Sequence, residues 1–369
     1  MRWLLYLIIF TETALISWML IPPLVRLAER RGVVDKPGER RVHDRSKPLL
    51  GGVAIFISFI GVIAVNLAGY VILYKNGWIP SRLPQLSVFY PRLSATWPQL
   101  AVILTGGLCM HILGLVDDVF HDRLTYKSKF PVQLLIVGGV ALLGVRVEFM
   151  PWTPLDILVT VIWIAGIANS FNLLDNMDGL TAGTAVISAG LLFILAVGQG
   201  QVFFALLLAG LAGSCLGFLY YNFNPSRLFM GDSGSLFIGY LFGALTTTGS
   251  YVVERSESLL PVLIPVLVLS IPLYDTFSVM VIRWREKRPL FVGDKRHFSH
   301  RLVEIGMTHR QAVTFIYVLG LCVGLVALLL PYVPVIASWV IILQAVLIYA
   351  LITLLILVGR RNILSADKS

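Results

Sequence analysis

The stretch "LDILVTVIWIAGIANSFNLLDNMDGLTAGTAVISAGLLFILAVG", residues 155–198, sets apolar runs on either side of three Asn and two Asp that fall within residues 169–180. A helix needs about 20 mostly apolar residues to cross the hydrocarbon core of a bilayer, and each flanking run is close to that length. Between two membrane spans, a polar cluster this dense needs either water or a chemical task.

Runs of this kind recur. The chain has 369 residues, a mean hydropathy of +0.84 and 13% charged residues, against about 25% charged in a soluble domain. Eleven runs predict transmembrane helices: 3–24, 50–74, 100–116, 130–146, 155–171, 181–198, 202–221, 233–250, 259–282, 312–331 and 335–358. Gly and Ser interrupt 155–171 and 233–250 most. Continuous apolarity without alternation favours helices over barrel strands. The expected fold is an all-α polytopic integral membrane protein, a single domain over 1–369 with about 11 transmembrane helices. Residues 3–24 read as a retained first helix, because the run is too long for a signal-peptide core and no A-x-A site follows it. Cys109, Cys215 and Cys322 each sit inside an apolar run, which predicts buried thiols and no disulfide or metal framework.

Eleven spans place every odd-to-even connection on one face, with the C-terminus. That face collects 23 of the 29 Lys and Arg, and the other face collects 6. Positive residues mark the cytoplasmic side, so the N-terminus is expected outside and the C-terminus inside. The net charge of +9 is then a matter of topology and gives no reason to expect nucleic acid. The outer connection Lys75–Pro98 carries four Pro and four aromatic residues, and predicts an ordered, helix-breaking loop on the membrane surface. Pro261, Pro265 and Pro272 predict a bend or break in the ninth span.

The five inner connections hold the polar clusters: "DKPGERRVHDRSKPLLGG" (35–52), "GLVDDVFHDRLTYKSKF" (114–130), residues 169–180, "NFNPSRLFMGDSGS" (222–235) and "GDKRHFSHRLVEIG" (293–306). Clusters so far apart in sequence but on one face can converge into one cleft. Asp117 and Asp118 are adjacent carboxylates, whose mutual repulsion usually calls for a cation or a raised pKa; the bland alternative is a solvated helix end. Asp232 in "GDSGS", and Asp175 and Asp178 before the sixth span, fit either helix capping or ligation. Oxygen donors of this kind suit Mg²⁺, which takes one or two carboxylates plus substrate phosphates; zinc spacing is missing. His297 and His300, flanked by Lys295, Arg296 and Arg301, suit phosphate better than a metal, and Lys127 and Lys129 add to that cationic character. His111 reads as a packed core histidine. Together these residues point to phosphoryl transfer between a soluble nucleotide and a lipid.

At this point the chain resembles the polyprenyl-phosphate N-acetylhexosamine-1-phosphate transferases, over roughly residues 30–310. "GLVDDV" is similar to the family's aspartate pair, "NSFNLLDNMDGL" to its N-x-x-N-x-x-D-G-x-D-G-L motif, "FMGDSGS" to F-x-G-D-x-G-S, and "HFSHRL" to its histidine motif. Two departures stand out. Asn176 occupies a position where the family usually has Gly. H-F-S-H-R-L also replaces the three consecutive histidines of the muramoyl-pentapeptide branch, which favours a plain N-acetylhexosamine donor. The resemblance implies Mg²⁺-dependent (or Mn²⁺-dependent) transfer of a sugar 1-phosphate from a UDP-N-acetylhexosamine, UDP-GlcNAc foremost, to polyprenyl phosphate such as undecaprenyl phosphate, releasing UMP. It implies that Asp232 and Asn172 hold the metal, that Phe229 stacks on uracil and Asp178 binds its edge. Asn169 joins the substrate side. Lys129 (in preference to Lys127), His297, His300 and Arg301 hold phosphate oxygens, Asp117 positions the lipid phosphate with Asp118 beside it, and Asp175 belongs to the catalytic set. The implied setting is the bacterial cytoplasmic (inner) membrane, with the site on the cytoplasmic face, a role in the first membrane step of cell-envelope glycan synthesis, and room for a homodimer. Competing readings are a muramoyl-pentapeptide 1-phosphate transferase, a membrane prenyltransferase, whose paired D-x-x-x-D motifs are absent, and an ion-coupled transporter, whose charges belong near the midplane.

Overall fold

The computed structural model describes residues 2–35, 46–120, 125–253, 256–288 and 296–366. Each of the eleven apolar runs is helical. Among the described residues, eight helices are long and apolar enough to cross a membrane, and a bent pair makes up to nine. The other two runs form Tyr126–Leu142 and Asp232–Thr248, of 17 residues each. At 1.5 Å per residue these reach about 25 Å, just short of a hydrocarbon core of about 30 Å. The outer surface is apolar, with Val65, Leu135, Phe277 and Ile336 all exposed, as a lipid-facing surface requires.

The Asp232–Thr248 helix is the axis of the bundle, since every residue from Ser233 to Thr247 is buried. Its Gly and Ser, which interrupt the apolar pattern, are what allow this. A Cβ on Gly239 would lie 2.7 Å from Ala168 Cα, and one on Gly243 would lie 2.8 Å from Ile164 Cα. Small residues let helix backbones approach closely where apolarity gives no drive for association between helices. The two most interrupted runs, 155–171 and 233–250, are therefore partners.

The proline-rich ninth run is broken, as its sequence predicts. Leu260–Val268 and Ser270–Arg285 meet at 75°. The last helix, Val335–Ala366, is tied to the segment after the break, because Tyr349 donates to Ser270 Oγ at 2.7 Å and the Tyr274 and Thr353 hydroxyls lie 2.7 Å apart.

Two expectations need correction. The outer connection is largely helical: Trp78–Arg82 and Pro84–Ser87 lead into Phe89–Val119, which continues through Pro98. Pro91 lies in the first turn of that helix, where a missing N–H costs nothing. The thiols are free as expected, but only Cys215 is buried; Cys109 and Cys322 lie on exposed helix surface. An apolar run facing lipid buries nothing within its own chain.

All five polar connections meet at one end of the bundle. Val34–Asp35 pairs antiparallel with Lys47–Pro48, and Phe229 N–H donates to Pro48 O while Gly51 and Gly52 donate to Phe229 and Met230 carbonyls. These bonds join the first cluster to the fourth, and side chains complete the convergence.

Candidate active site

Asp232 is the focus. It opens its helix after Gly231, whose φ of +73° is open to glycine and strained for other residues. Its carboxylate accepts from the Lys129 ammonium, and its other oxygen accepts from Asn172 Nδ2 at 2.8 Å. Lys129 also donates to Asp117 Oδ2 at 2.8 Å. One ammonium thus bridges carboxylates from two helix ends, Phe89–Val119 and Asp232–Thr248. Lys127, two residues earlier, is exposed, and successive residues on a helix turn by about 100°. Lys129 is the lysine that faces the carboxylates.

Asp118 does something else. It is buried, and its two oxygens accept from Asp232 N–H at 2.8 Å and Ser233 N–H at 3.0 Å. It thereby caps the Asp232–Thr248 helix, satisfying donors that no carbonyl of that helix can reach and complementing the positive end of its dipole. A Cβ on Gly231 would come within 2.5 Å of this carboxylate. The pair "DD" divides its labour, with Asp117 facing Lys129 and Asp118 holding Asp232 in place.

Asn172 also differs from expectation. Its amide nitrogen donates to Asp232 and, at 2.9 Å, to Ser235 Oγ, so it orients Asp232 and does not present an oxygen beside it. Asn169, one turn back, donates to Gln133 Oε1 at 2.7 Å and Ala165 O at 2.8 Å, which places it in helix packing and not in the carboxylate cluster.

Asp178 accepts from Ser226 N–H at 2.9 Å, Ser226 Oγ at 2.8 Å, Asn224 at 3.3 Å and Lys47 at 3.4 Å. Lys47 also donates to Ser226 Oγ at 2.7 Å and sits 4.8 Å from the centre of the Phe229 ring. A base stacking on that face of Phe229 has to displace the ammonium or share the ring with it. Lys47 escaped the sequence reading as an individual residue, because nothing marks it out among the eight cations of its connection.

Asp175 is half-buried between the fifth and sixth spans. Loss of water around its carboxyl pushes its pKa up to about 7; the nearby Thr181 hydroxyl opposes this, and the Asp118 and Asp178 carboxylates add to it. Asn176, at the family's glycine position, has no positive φ, and the left-handed turn falls on Gly179 at +80°. The local chain path does not need glycine at 176.

The histidine helix Phe298–Glu304 is anchored from the broken span. His297 Nδ1 lies 2.8 Å from Asp275 Oδ2, and Phe298 N–H donates to Asp275 Oδ1 at 2.6 Å. Asp275 is fully buried. It was missed in the sequence, although a lone carboxylate inside an apolar run is a signal in its own right. Arg301 is buried and donates to Ser278, so its guanidinium faces the broken span. The His300 ring centre is 6.4 Å from that of His297, and His300 is half-buried. Lys295 lies outside the described residues. His111 is a packed core residue, stacked on Phe56 with ring centres 4.0 Å apart and bonded to Ser233 O.

Among the described residues, no three His, Cys, Asp or Glu form a metal cage. The donor set still fits a hard cation bound mainly by substrate. The Lys129 ammonium marks a place where Asp117 and Asp232 already share one positive charge, and both donate oxygen.

Residues 100–250 match the family described as glycosyl transferase family 4. The chain is 34% identical over 329 residues to the probable undecaprenyl-phosphate N-acetylglucosaminyl 1-phosphate transferase of Bacillus subtilis, covering 86% of this chain and 83% of that protein. It is 35% identical over 342 residues to the decaprenyl-phosphate N-acetylglucosaminephosphotransferase of Mycobacterium tuberculosis, covering 85% and 79%. It is 31% identical over 352 residues to the phospho-N-acetylmuramoyl-pentapeptide-transferase of Desulforamulus reducens, covering 89% and 95%. Resemblance at this level covers more than four fifths of the chain, and the chain belongs to the polyprenyl-phosphate N-acetylhexosamine-1-phosphate transferase family.

Proposed function

We propose that this membrane phosphotransferase moves N-acetylglucosamine 1-phosphate from UDP-GlcNAc to a polyprenyl phosphate such as undecaprenyl phosphate, giving polyprenyl diphosphate-sugar and UMP. The observation that carries this reading is the Asp117–Lys129–Asp232 bridge, in which two carboxylates and a cation converge at one end of a membrane bundle. The names of the relatives supply the lipid and sugar classes, and the two N-acetylglucosamine relatives are slightly closer in identity than the muramoyl-pentapeptide one.

The acceptor attacks the sugar-bearing phosphorus in line. A new P–O bond forms to the lipid phosphate, and the bond to the UMP oxygen breaks. A phosphomonoester has a second pKa of about 6, so the acceptor is mostly dianionic at neutral pH and needs no base. The barrier lies in bringing anions together. Lys129, exchanging a carboxylate for a phosphate oxygen, meets the transferred group; Asp117 orients Lys129, and Asn172 fixes the rotamer of Asp232. Asp232, with Asp117, would hold Mg²⁺ (or Mn²⁺), which when bound offsets the charge of the diphosphate. Phe229, Asp178 and Lys47 form the nucleoside side. His297 and His300 face phosphate, and Asp275 sets the tautomer of His297.

The cationic end is assigned to the cytoplasmic side of a bacterial inner membrane with eleven passes, N-terminus outside. Cysteine labelling tests this: a thiol at Ser81 should react from outside, and one at Ser365 only after permeabilisation. UMP release in detergent, with several UDP-sugars and polyprenyl phosphate, tests the reaction, and uptake into vesicles without UMP release would indicate a transporter instead. Asp232→Asn should abolish turnover at ordinary Mg²⁺ and leave folding intact, because the Asp232 side chain faces Lys129 and Asn172 while Asp118 caps the helix start. A fully active Asp232→Asn enzyme would take Asp232 out of the metal site and leave Asp117 as the carboxylate that holds it.

A further inference from the structure

Asn176, where the family usually has Gly, touches Ser299, inside the motif that differs from the muramoyl-pentapeptide branch. Ser299 Oγ donates to Asn176 Oδ1 at 2.6 Å, and Asn176 Nδ2 donates back to Leu173 O at 2.8 Å. Ser299 is buried. The three consecutive histidines of the muramoyl-pentapeptide branch, aligned on either end of H297-F-S-H300, would put an imidazole at position 299, opposite position 176. The side chains of Asn and Ser together hold as many heavy atoms as one histidine side chain, so exchanging Gly/His for Asn/Ser conserves volume across the contact. Cores tolerate such swaps best when volume is kept.

The contact also has a mechanical consequence. Helix Phe298–Glu304 has only 7 residues, and the side chain of its N-cap, His297, bonds Asp275 and none of the helix's own N–H groups. Its anchors Asp275 and Ser278 both belong to the broken span. Asn176 belongs to the loop that carries Asp175 and Asp178. We propose that Asn176 and Ser299 are a positioning pair that docks the histidine helix onto this loop, fixing His297 and His300 relative to the carboxylates. This rests on the reading of those residues as parts of a sugar-1-phosphate transfer site. Misplacement of reacting groups by about 1 Å can cost on the order of 100-fold in rate.

The test is a cycle of wild type, Asn176→Gly, Ser299→His and the double variant, each measured for UMP release from UDP-GlcNAc and for thermal unfolding in detergent. Asn176→Gly leaves a void and an unpaired hydroxyl; Ser299→His overfills the contact. Each single change should lower kcat about tenfold or more with a smaller change in KM, and the double variant should recover to within about threefold of wild type. A double variant whose kcat loss is the product of the two single losses overturns the pair. A wild type that releases no UMP refutes the proposed reaction instead. In that case, coupled Tm values across the cycle retain the docking contact, and additive ones overturn it.

Discussion

Asp118→Asn separates the two roles within the aspartate pair. In the structure both Asp118 oxygens accept backbone N–H groups at the start of the Asp232–Thr248 helix, in a buried setting. Asn keeps one acceptor oxygen and turns an NH₂ group toward the other N–H. One charge-assisted bond is lost, at about 1.5–3 kcal/mol, and a favourable charge at the helix N-terminus is lost as well, at about 0.3–1 kcal/mol. The expected destabilisation is about 3 kcal/mol. With an unfolding entropy of about 2.1 cal/mol/K per residue, a chain of 369 residues should lose roughly 4 °C in Tm. Asp117→Asn leaves Lys129 paired with Asp232 and removes no helix cap, so it should lower Tm by less than Asp118→Asn does. The assay is thermal unfolding of both variants in one detergent, with UMP release alongside. Gly231→Ala should share the Asp118 phenotype, since its Cβ would press on that carboxylate. An Asp118→Asn protein as stable as wild type, yet as inactive as Asp117→Asn, would refute the capping role and put Asp118 against substrate or metal.

Asp117→Asn should lower UMP release by the same factor at pH 6.5 and pH 8.5, because a positioning carboxylate is not needed to deprotonate an acceptor that is already dianionic; recovery at high pH would make it a base. Asp275→Asn keeps an oxygen for the Phe298 N–H but changes what meets His297 Nδ1. It should lower kcat at least about tenfold, and an unchanged kcat would remove the orienting role. Asp175 has a folded pKa raised to about 7 from its ordinary value of 3.8, so folding is opposed increasingly as pH rises from about 4 to 7 and fully above that. Asp175→Asn, which stays neutral, should therefore raise Tm relative to wild type more at pH 8 than at pH 5, and equal differences at the two pH values would contradict the shift.

Much of the fold is legible in the chain itself. Apolar run length locates a helix in each run, and eight to nine of these among the described residues are long and apolar enough to cross a membrane, because a helix in lipid must satisfy its own backbone and expose apolar side chains along a fixed distance. The polar clusters at alternate connections already mark the end that carries the site, and the three prolines mark the broken span. Side-chain facing is a different matter. Asp117 and Asp118 are neighbours in sequence but about 100° apart around a helix, and Asp118 is told from Asp117 by the Asp232 and Ser233 amides, more than a hundred residues away. The same angular reasoning separates Lys129 from Lys127. It also explains why Asn172 became a donor to Asp232 and Asn169 a packing residue. Asp275 was visible as a carboxylate in an apolar run, but its tie to His297 depends on the fold of the broken span. Sequence determines where each polar group enters the membrane end of the bundle; which partner it meets is set by helix rotation and close packing around the Asp232–Thr248 axis, which no local pattern encodes.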